Sequence, residues 1–279
     1  MSDKPLAGKT AIITGGSRGI GRTVALTLAD AGANIVVAAK STEEKPGLPG
    51  TIYTVKDEVE SRGVKGLAVQ VDVRDDSLIE GMVEQTMEAF GRIDIVVNNA
   101  GALWWMPVLE TPMKRYDLIN QVNSRAAFAV TRACLPHMLA GEGGHVLVYS
   151  PPVNLAALKG KVAYCISKFG MTMLAHGLAA EMEGKPFSIN ALWPVTAIES
   201  AATINFKLGG PKMWRKPEIL ADATLKIVTK TPGELTGQAL LDEEFLRSEG
   251  VTDFVQYRCD PDHEPPPLTI TDMPKTGKL

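Results

Sequence analysis

Short apolar runs alternate with longer segments of helical periodicity along this chain, and that alternation sets the architecture. Residues 10–14 form an apolar run ended by Gly15, the pattern of a buried strand. Residues 20–31 carry apolar positions at helical spacing and stop at Gly32. The same reasoning predicts strands over 34–39, 67–71, 93–98, 144–150, 187–193 and 237–241. Helices are predicted over 51–62, 77–90, 112–140, 161–183 and 217–229. The 40–50 segment is a polar Pro/Gly loop, longer than the usual strand-to-helix link, and is expected to be functional or mobile. The mixed segment 196–215 reads as a lid. Pro261, Pro265, Pro266, Pro267 and Pro274 forbid regular structure near the end. Residues 1–255 therefore read as one domain and 256–279 as a Pro-rich tail.

Strands alternating with helices imply parallel strands joined by right-handed crossovers. The expected fold is a single α/β domain, a doubly wound Rossmann-type sheet of about seven strands with helices on both faces. Ligands in such sheets sit beyond the carboxyl ends of the strands, at the switch in strand order. Gly15, Asp72, Asn98 and Ser150 all fall at or just past predicted strand ends, which points to one shared site.

Composition narrows the function classes. Of 279 residues, 45% are hydrophobic and 22% charged, enough for a sizeable core and against global disorder. A net charge of −3 argues against a nucleic-acid partner or a basic membrane-binding surface. No apolar stretch has the length of a membrane span. Cys134, Cys165 and Cys259 are scattered, so reduced thiols and no metal site are expected. The N-terminus lacks a signal-peptide run, and a cytoplasmic location is expected. Gly277-Lys278-Leu279 resembles a Ser-Lys-Leu peroxisomal address with the wrong first residue, which leaves that compartment as an alternative.

Three clusters carry candidate chemistry. Thr14-Gly15-Gly16-Ser17-Arg18-Gly19-Ile20-Gly21 lies between a strand and a helix. Glycines there permit a tight turn and close approach to a pyrophosphate, and the helix N-terminus offers unpaired amides. At the end of the second strand an acidic residue would grip the ribose 2′-hydroxyl of NAD, whereas a cation accommodates the 2′-phosphate of NADP. Lys40 stands there with Arg18 nearby, so NADP(H) is expected over NAD(H), which remains possible. Asp72 either accepts from the adenine amino group or is a turn residue capping the next helix. The third cluster is Tyr164 and Lys168, four residues apart on one helix face.

These motifs, with Asn98-Asn99-Ala100-Gly101 and Asn123, resemble the short-chain dehydrogenase/reductase superfamily over residues 9–241. Ala39-Lys40, Ser150-Pro151-Pro152 and Asn190-Ala191-Leu192-Trp193-Pro194 are similar to its hydroxysteroid dehydrogenase-like branch. Members of that branch carry a further sterol-carrier domain, for which no room is expected after Leu279. The resemblance implies hydride transfer between a nicotinamide and a carbonyl or alcohol carbon. It implies that Tyr164 is the general acid/base, that Lys168 lowers its pKa and holds the nicotinamide ribose, and that Asn123 anchors a water. Cofactor contacts are implied for Gly15, Gly16, Ser17, Arg18, Gly19, Ile20, Gly21, Lys40, Asp72, Val73, Asn99, Ala100, Gly101, Tyr164, Lys168, Pro194 and Ile198. A homodimer or homotetramer is also implied.

The superfamily places a serine 13 residues before the tyrosine, but that position is Pro151, with Ser150 one place earlier. Either Ser150 reaches the substrate or it satisfies backbone groups at the strand end. Pro151 also motivates a competing expectation, a catalytically weakened NADP-binding sensor or lipid-binding scaffold. Val195 replaces the glycine expected after Pro194. Trp104, Trp105, Met106, Leu155, Trp193, Met213 and Trp214 are candidate walls for a small-molecule substrate of apolar character.

Overall fold

The seven apolar runs expected as strands pair in parallel in one sheet. A computed structural model describes residues 4–268. The first three residues and Gly277-Lys278-Leu279 lie outside the described residues. The strands are β1 (Thr10–Thr14), β2 (Asn34–Ala39), β3 (Gly66–Gln70), β4 (Ile95–Asn98), β5 (Gly144–Tyr149), β6 (Phe187–Trp193) and, late in the chain, β9 (Ala239–Leu241). Their order is β3-β2-β1-β4-β5-β6-β9. The chain runs outward from β1 to β3, then returns to place β4 on the other side of β1. That reversal opens a crevice at the carboxyl ends of β1 and β4.

Alternate strand residues face opposite layers. Ile13, Val37, Val97 and Leu147 pack on α1 (Gly19–Asp30), α2 (Ile52–Glu60) and α8 (Glu218–Val228). Ile12, Val36, Val96 and Val146 pack on α3 (Asp76–Phe90), α5 (Ala126–Ala140) and α6 (Val162–Glu181). The local signals explain the ends. Thr51 caps α2 in a reciprocal capping box with Thr54, and Gly91 closes α3 in the left-handed conformation.

Three segments differ from expectation. The predicted 112–140 helix is α4 (Met113–Asn120), a π-helical turn (Gln121–Arg125) and α5. The 196–215 lid contains two short strands, β7 (Ala197–Ile198) and β8 (Trp214–Arg215), around α7 (Ala201–Asn205). After β9 comes α9 (Asp242–Ser248), for which seven residues gave too little periodicity to predict a helix.

Residues 256–268 return to the domain as a strap. Arg215, 1% exposed, pairs with Glu243 and with Glu264 at 2.5 Å. Glu264 also pairs with Arg258, and Glu243 with Arg247 at 2.6 Å. Thr196 bridges Pro267 in antiparallel fashion, and the Leu268 amide donates to Val195 O at 2.7 Å. The prolines exclude helix and strand but not docking. Arg215→Met is expected to destabilise by about 3 kcal/mol, the low end for a broken buried ion pair because Arg247 and Arg258 still serve the two carboxylates. Urea unfolding measures this, and a loss below about 1 kcal/mol would remove the cluster's structural role.

Candidate active site

The site begins at the turn between β1 and α1. Gly15 has φ +67°, and a Cβ on Gly21 would stand 2.4 Å from Gly15 O and 2.5 Å from Asn99 Nδ2. No side chain fits between the turn, the helix and Asn99. Asn99 Nδ2 donates to Thr14 O (2.9 Å) and Gly15 O (3.2 Å). The Asn99 and Ala100 amides donate to Thr14 Oγ1, each at 3.1 Å. Arg18, at the N-cap of α1, makes no side-chain cap, so the first-turn amides are left for a ligand. They open on a cleft of about 440 Å³. Gly15, Ser17, Arg18, Gly19, Ile20 and Gly21 line it, as do Lys40, Asp72, Val73, Asn99, Ala100 and Gly101. Gly16 does not line the cleft; it packs against Ile13 O and Val37.

The far end of the cleft is charged. Arg74 grips Asp72 through Nη2–Oδ2 (2.6 Å) and Nε–Oδ1 (2.9 Å), and Lys40 Nζ lies 3.1 Å from Oδ2. Arg74 foremost, with Lys40, holds the Asp72 carboxyl well below the usual range. Asp72 does not cap α3; Asp75 does, accepting from the Ser77 amide (2.9 Å). Arg74 was not singled out from the sequence, although it stands two residues past Asp72 and lines the cleft. Arg18 donates to Pro49 O (3.2 Å) and Gly50 O (2.8 Å), so it ties the 40–50 loop to the glycine turn. Burial lowers the Arg18 pKa, with Glu44 opposing.

A larger cavity of about 710 Å³ adjoins the cleft, and Ile20, Asn99, Gly101 and Ser200 line both. Tyr164 and Lys168 line this cavity from α6 and are 6% and 5% exposed. Lys168 Nζ donates to Tyr149 O (2.7 Å) and lies 5.3 Å from the Trp193 ring centroid. Burial pushes its ammonium down to about 7. Burial also raises the Tyr164 phenol well above its ordinary value, with Cys165 adding to the shift. The lowering expected from Lys168 does not figure in the shift, which desolvation dominates. Asn123 sits in the π-helical turn, fully buried. Its Oδ1 accepts from the Ala102 amide (2.8 Å), and Nδ2 donates to Ala102 O (3.0 Å) and Ser167 Oγ (2.9 Å). The side chain thus positions the segment carrying Gly101, where a Cβ would lie 3.5 Å from Asn123 Oδ1 and 3.6 Å from Lys168 Nζ. π-turns concentrate at functional sites, because the extra residue re-aims a side chain.

A sequence profile of the short chain dehydrogenase family matches residues 9–205. The chain belongs to the short-chain dehydrogenase family. Hydroxysteroid dehydrogenase-like protein 2 of Danio rerio is 47% identical over 92% of this chain, which spans 62% of that relative. A short chain dehydrogenase structure from Mycobacterium thermoresistibile is 41% identical, with a TM-score of 0.89 and 98% of both chains covered. A metagenomic short-chain oxidoreductase solved in complex with NADP is 26% identical, with a TM-score of 0.72 over 85% of this chain and 97% of that one.

This short-chain dehydrogenase departs from expectation at Ser150. The side chain is fully buried, its Oγ pairs with Thr172 Oγ1 (2.9 Å), and neither Ser150 nor Pro151 lines the cavity. Thr172 also donates to Pro151 O (2.6 Å). The one-residue offset has turned the hydroxyl toward α6. Pro194 and Ile198 do line the cavity. In place of the expected glycine, Val195 donates its amide to Asp242 Oδ1 (2.9 Å). Asp242, at the start of α9, is buried, and burial pushes its carboxyl up to about 7. It was missed in the sequence for the same reason as α9.

Among the candidate walls, Trp105, Trp193 and Met213 line the cavity. Trp105 meets the Tyr164 ring edge-on, 6.0 Å between centroids. Trp104, Met106, Leu155 and Trp214 do not line it. Leu155 is exposed, and Trp214 is buried, donating Nε1 to Leu208 O (2.8 Å). Pro266, Pro267 and Leu268 of the strap supply a wall that the sequence did not suggest. NMR of labelled lysines, assigned with Lys168→Met, is expected to show Lys168 titrating at about 7. A midpoint above about 9.5 would overturn the desolvated state of this group.

Proposed function

We propose that the chain is an NADP(H)-dependent oxidoreductase acting on a carbonyl or alcohol carbon, with Tyr164 as general acid/base. The carrying observation is that Tyr164 and Lys168 both line the apolar cavity beside the glycine-lined cleft, with Lys168 Nζ 3.6 Å from a Cβ built on Gly101, which lines both. The uncapped α1 N-terminus and the side-chain-free approach at Gly15 and Gly21 fit a pyrophosphate. Lys40 and Arg74 together outnumber the one carboxylate, Asp72, and fit a 2′-phosphate. NADP binding by the metagenomic relative supports a nicotinamide dinucleotide at this site. Bound there, the nicotinamide supplies or accepts the hydride.

Tyr164 then hands a proton to the carbonyl oxygen in reduction, or takes one from the alcohol in oxidation. Burial raises its pKa, so the phenol of the free protein holds its proton at neutral pH. Lys168, held at Tyr149 O, offers its remaining N–H groups to ribose hydroxyls. Asn123 keeps Gly101 against Lys168 and so fixes the lip between cleft and cavity.

Tyr164→Phe is expected to lower NADPH-dependent carbonyl reduction by at least about 10²-fold while the NADPH dissociation constant changes by less than about threefold. Steady-state rates beside a fluorescence titration measure both, and retained turnover would overturn the assignment. The buried Ser150 supports a second reading, a cofactor-binding protein without turnover, because the hydroxyl that would polarise a substrate is turned away. Tight NADPH binding with no reduction of a broad panel of ketones and aldehydes by the unmodified protein would favour it. Lys40→Ala is expected to weaken NADPH about tenfold relative to NADH, the loss of one charge-assisted phosphate contact. An unchanged ratio in paired titrations would remove Lys40 from the 2′-phosphate site.

A further inference from the structure

One wall of the larger cavity comes from the proline run of the strap, Glu264-Pro265-Pro266-Pro267-Leu268. Each proline ring locks its φ, so three in succession make a stiff extended rod with a rise of about 3 Å per residue. The rod is pinned at both ends. At one end Glu264 pairs with Arg215 and Arg258. At the other, Pro267 bridges Thr196, and the Leu268 amide donates to Val195 O at 2.7 Å. Pro265 is buried, whereas Pro266, Pro267 and the half-buried Leu268 line the cavity. Leu268 also lies close to the reacting groups. On α6, Cys165 and Phe169 stand one residue past Tyr164 and Lys168, which turns them about 100° round the helix. Leu268 packs against that second row together with Trp193 and Leu158. The Trp193 ring centroid in turn lies 5.3 Å from Lys168 Nζ. The end of the rod therefore abuts the face of α6 next to the one that carries Tyr164.

We infer that Leu268, backed by the proline rod, is a specificity-determining wall that limits the length of an apolar carbonyl substrate. The inference rests on the oxidoreductase reading for the reacting carbon alone; the limit on length is a property of binding. A substrate chain gains about fourfold in affinity for each methylene it buries. A flexible loop would move aside for a longer chain. A rod with fixed φ angles, anchored through a buried arginine and a main-chain hydrogen bond, yields only by giving up those anchors. The next methylene then meets a clash in place of a contact, and affinity falls. Leu268 is the side chain at the end of the rod, and its bulk sets where that fall begins.

The test titrates the full chain with straight-chain methyl ketones of about six to fourteen carbons, the range over which per-methylene gains accumulate. NADP+, which cannot reduce a ketone, is present throughout. Intrinsic tryptophan fluorescence reports binding, because Trp193 packs in the same cluster as Leu268. Affinity is expected to rise about fourfold per methylene to a maximum and then to fall. Leu268→Ala should move the maximum about two carbons longer, and Leu268→Phe should move it shorter. Loss of folding cannot produce shifts of opposite sign. Pro267→Gly, which loosens the rod and leaves Leu268 in place, should flatten the fall beyond the maximum. A series without a maximum, or a maximum that stays in place in both Leu268 variants, would overturn the inference. The same ketones are then offered with NADPH. A shifted maximum with no turnover of any ketone would sink the oxidoreductase reading and leave the wall standing. Turnover with an unmoved maximum would do the reverse.

Discussion

The amide of Asn99 is the constraint on which the site depends. It grips Thr14 O and Gly15 O and so locks the end of β4 to the turn after β1. Those two strands are neighbours because the chain reverses direction across the sheet, and neither reversal nor turn alone would make a cleft. The lock leaves no volume for side chains at Gly15 and Gly21. Exposed backbone amides and a flat approach follow from that single crowding. Lys40, Asp72 and Arg74 then fall at the far end because β2 and β3 continue outward from β1.

Desolvation, more than mutual attraction, sets the electrostatics of Tyr164 and Lys168. Both are almost wholly buried, and both are driven toward their neutral forms, the phenol upward and the ammonium downward. The lysine spends one donor on Tyr149 O, which fixes where the charge sits when it is present. A proton moving in this site therefore moves through a region where charge is costly, and the protein's fixed dipoles carry correspondingly more weight.

Strand alternation, the glycine spacing and the Tyr164–Lys168 pair were legible because each depends on neighbours in sequence. The seven-stranded sheet and most of the cleft followed from them. What was not legible depends on contacts between distant segments. The π-turn carries Asn123 into hydrogen bonds with Ala102 and Ser167, which no local periodicity encodes. Ser150 had two open readings, and Thr172, 22 residues on, decides that its hydroxyl faces α6. The proline-rich end was read as a tail because prolines forbid hydrogen-bonded ladders. Its described part, residues 256–268, docks through ion pairs and side-chain packing, which prolines do not forbid.

Arg215 gives that docking a mechanical meaning. One buried cation is shared by Glu243 on α9 and Glu264 on the strap, while its own backbone belongs to β8 at the end of the lid. The strap, α9 and β8 are thereby fastened by a common rivet, and the strap is the one of the three that walls the cavity. The strap cannot lift without stripping Glu264 from Arg215, and β8 cannot shift without dragging both carboxylates. Lifting the strap here therefore costs the pairing of a buried cation and not merely a surface contact.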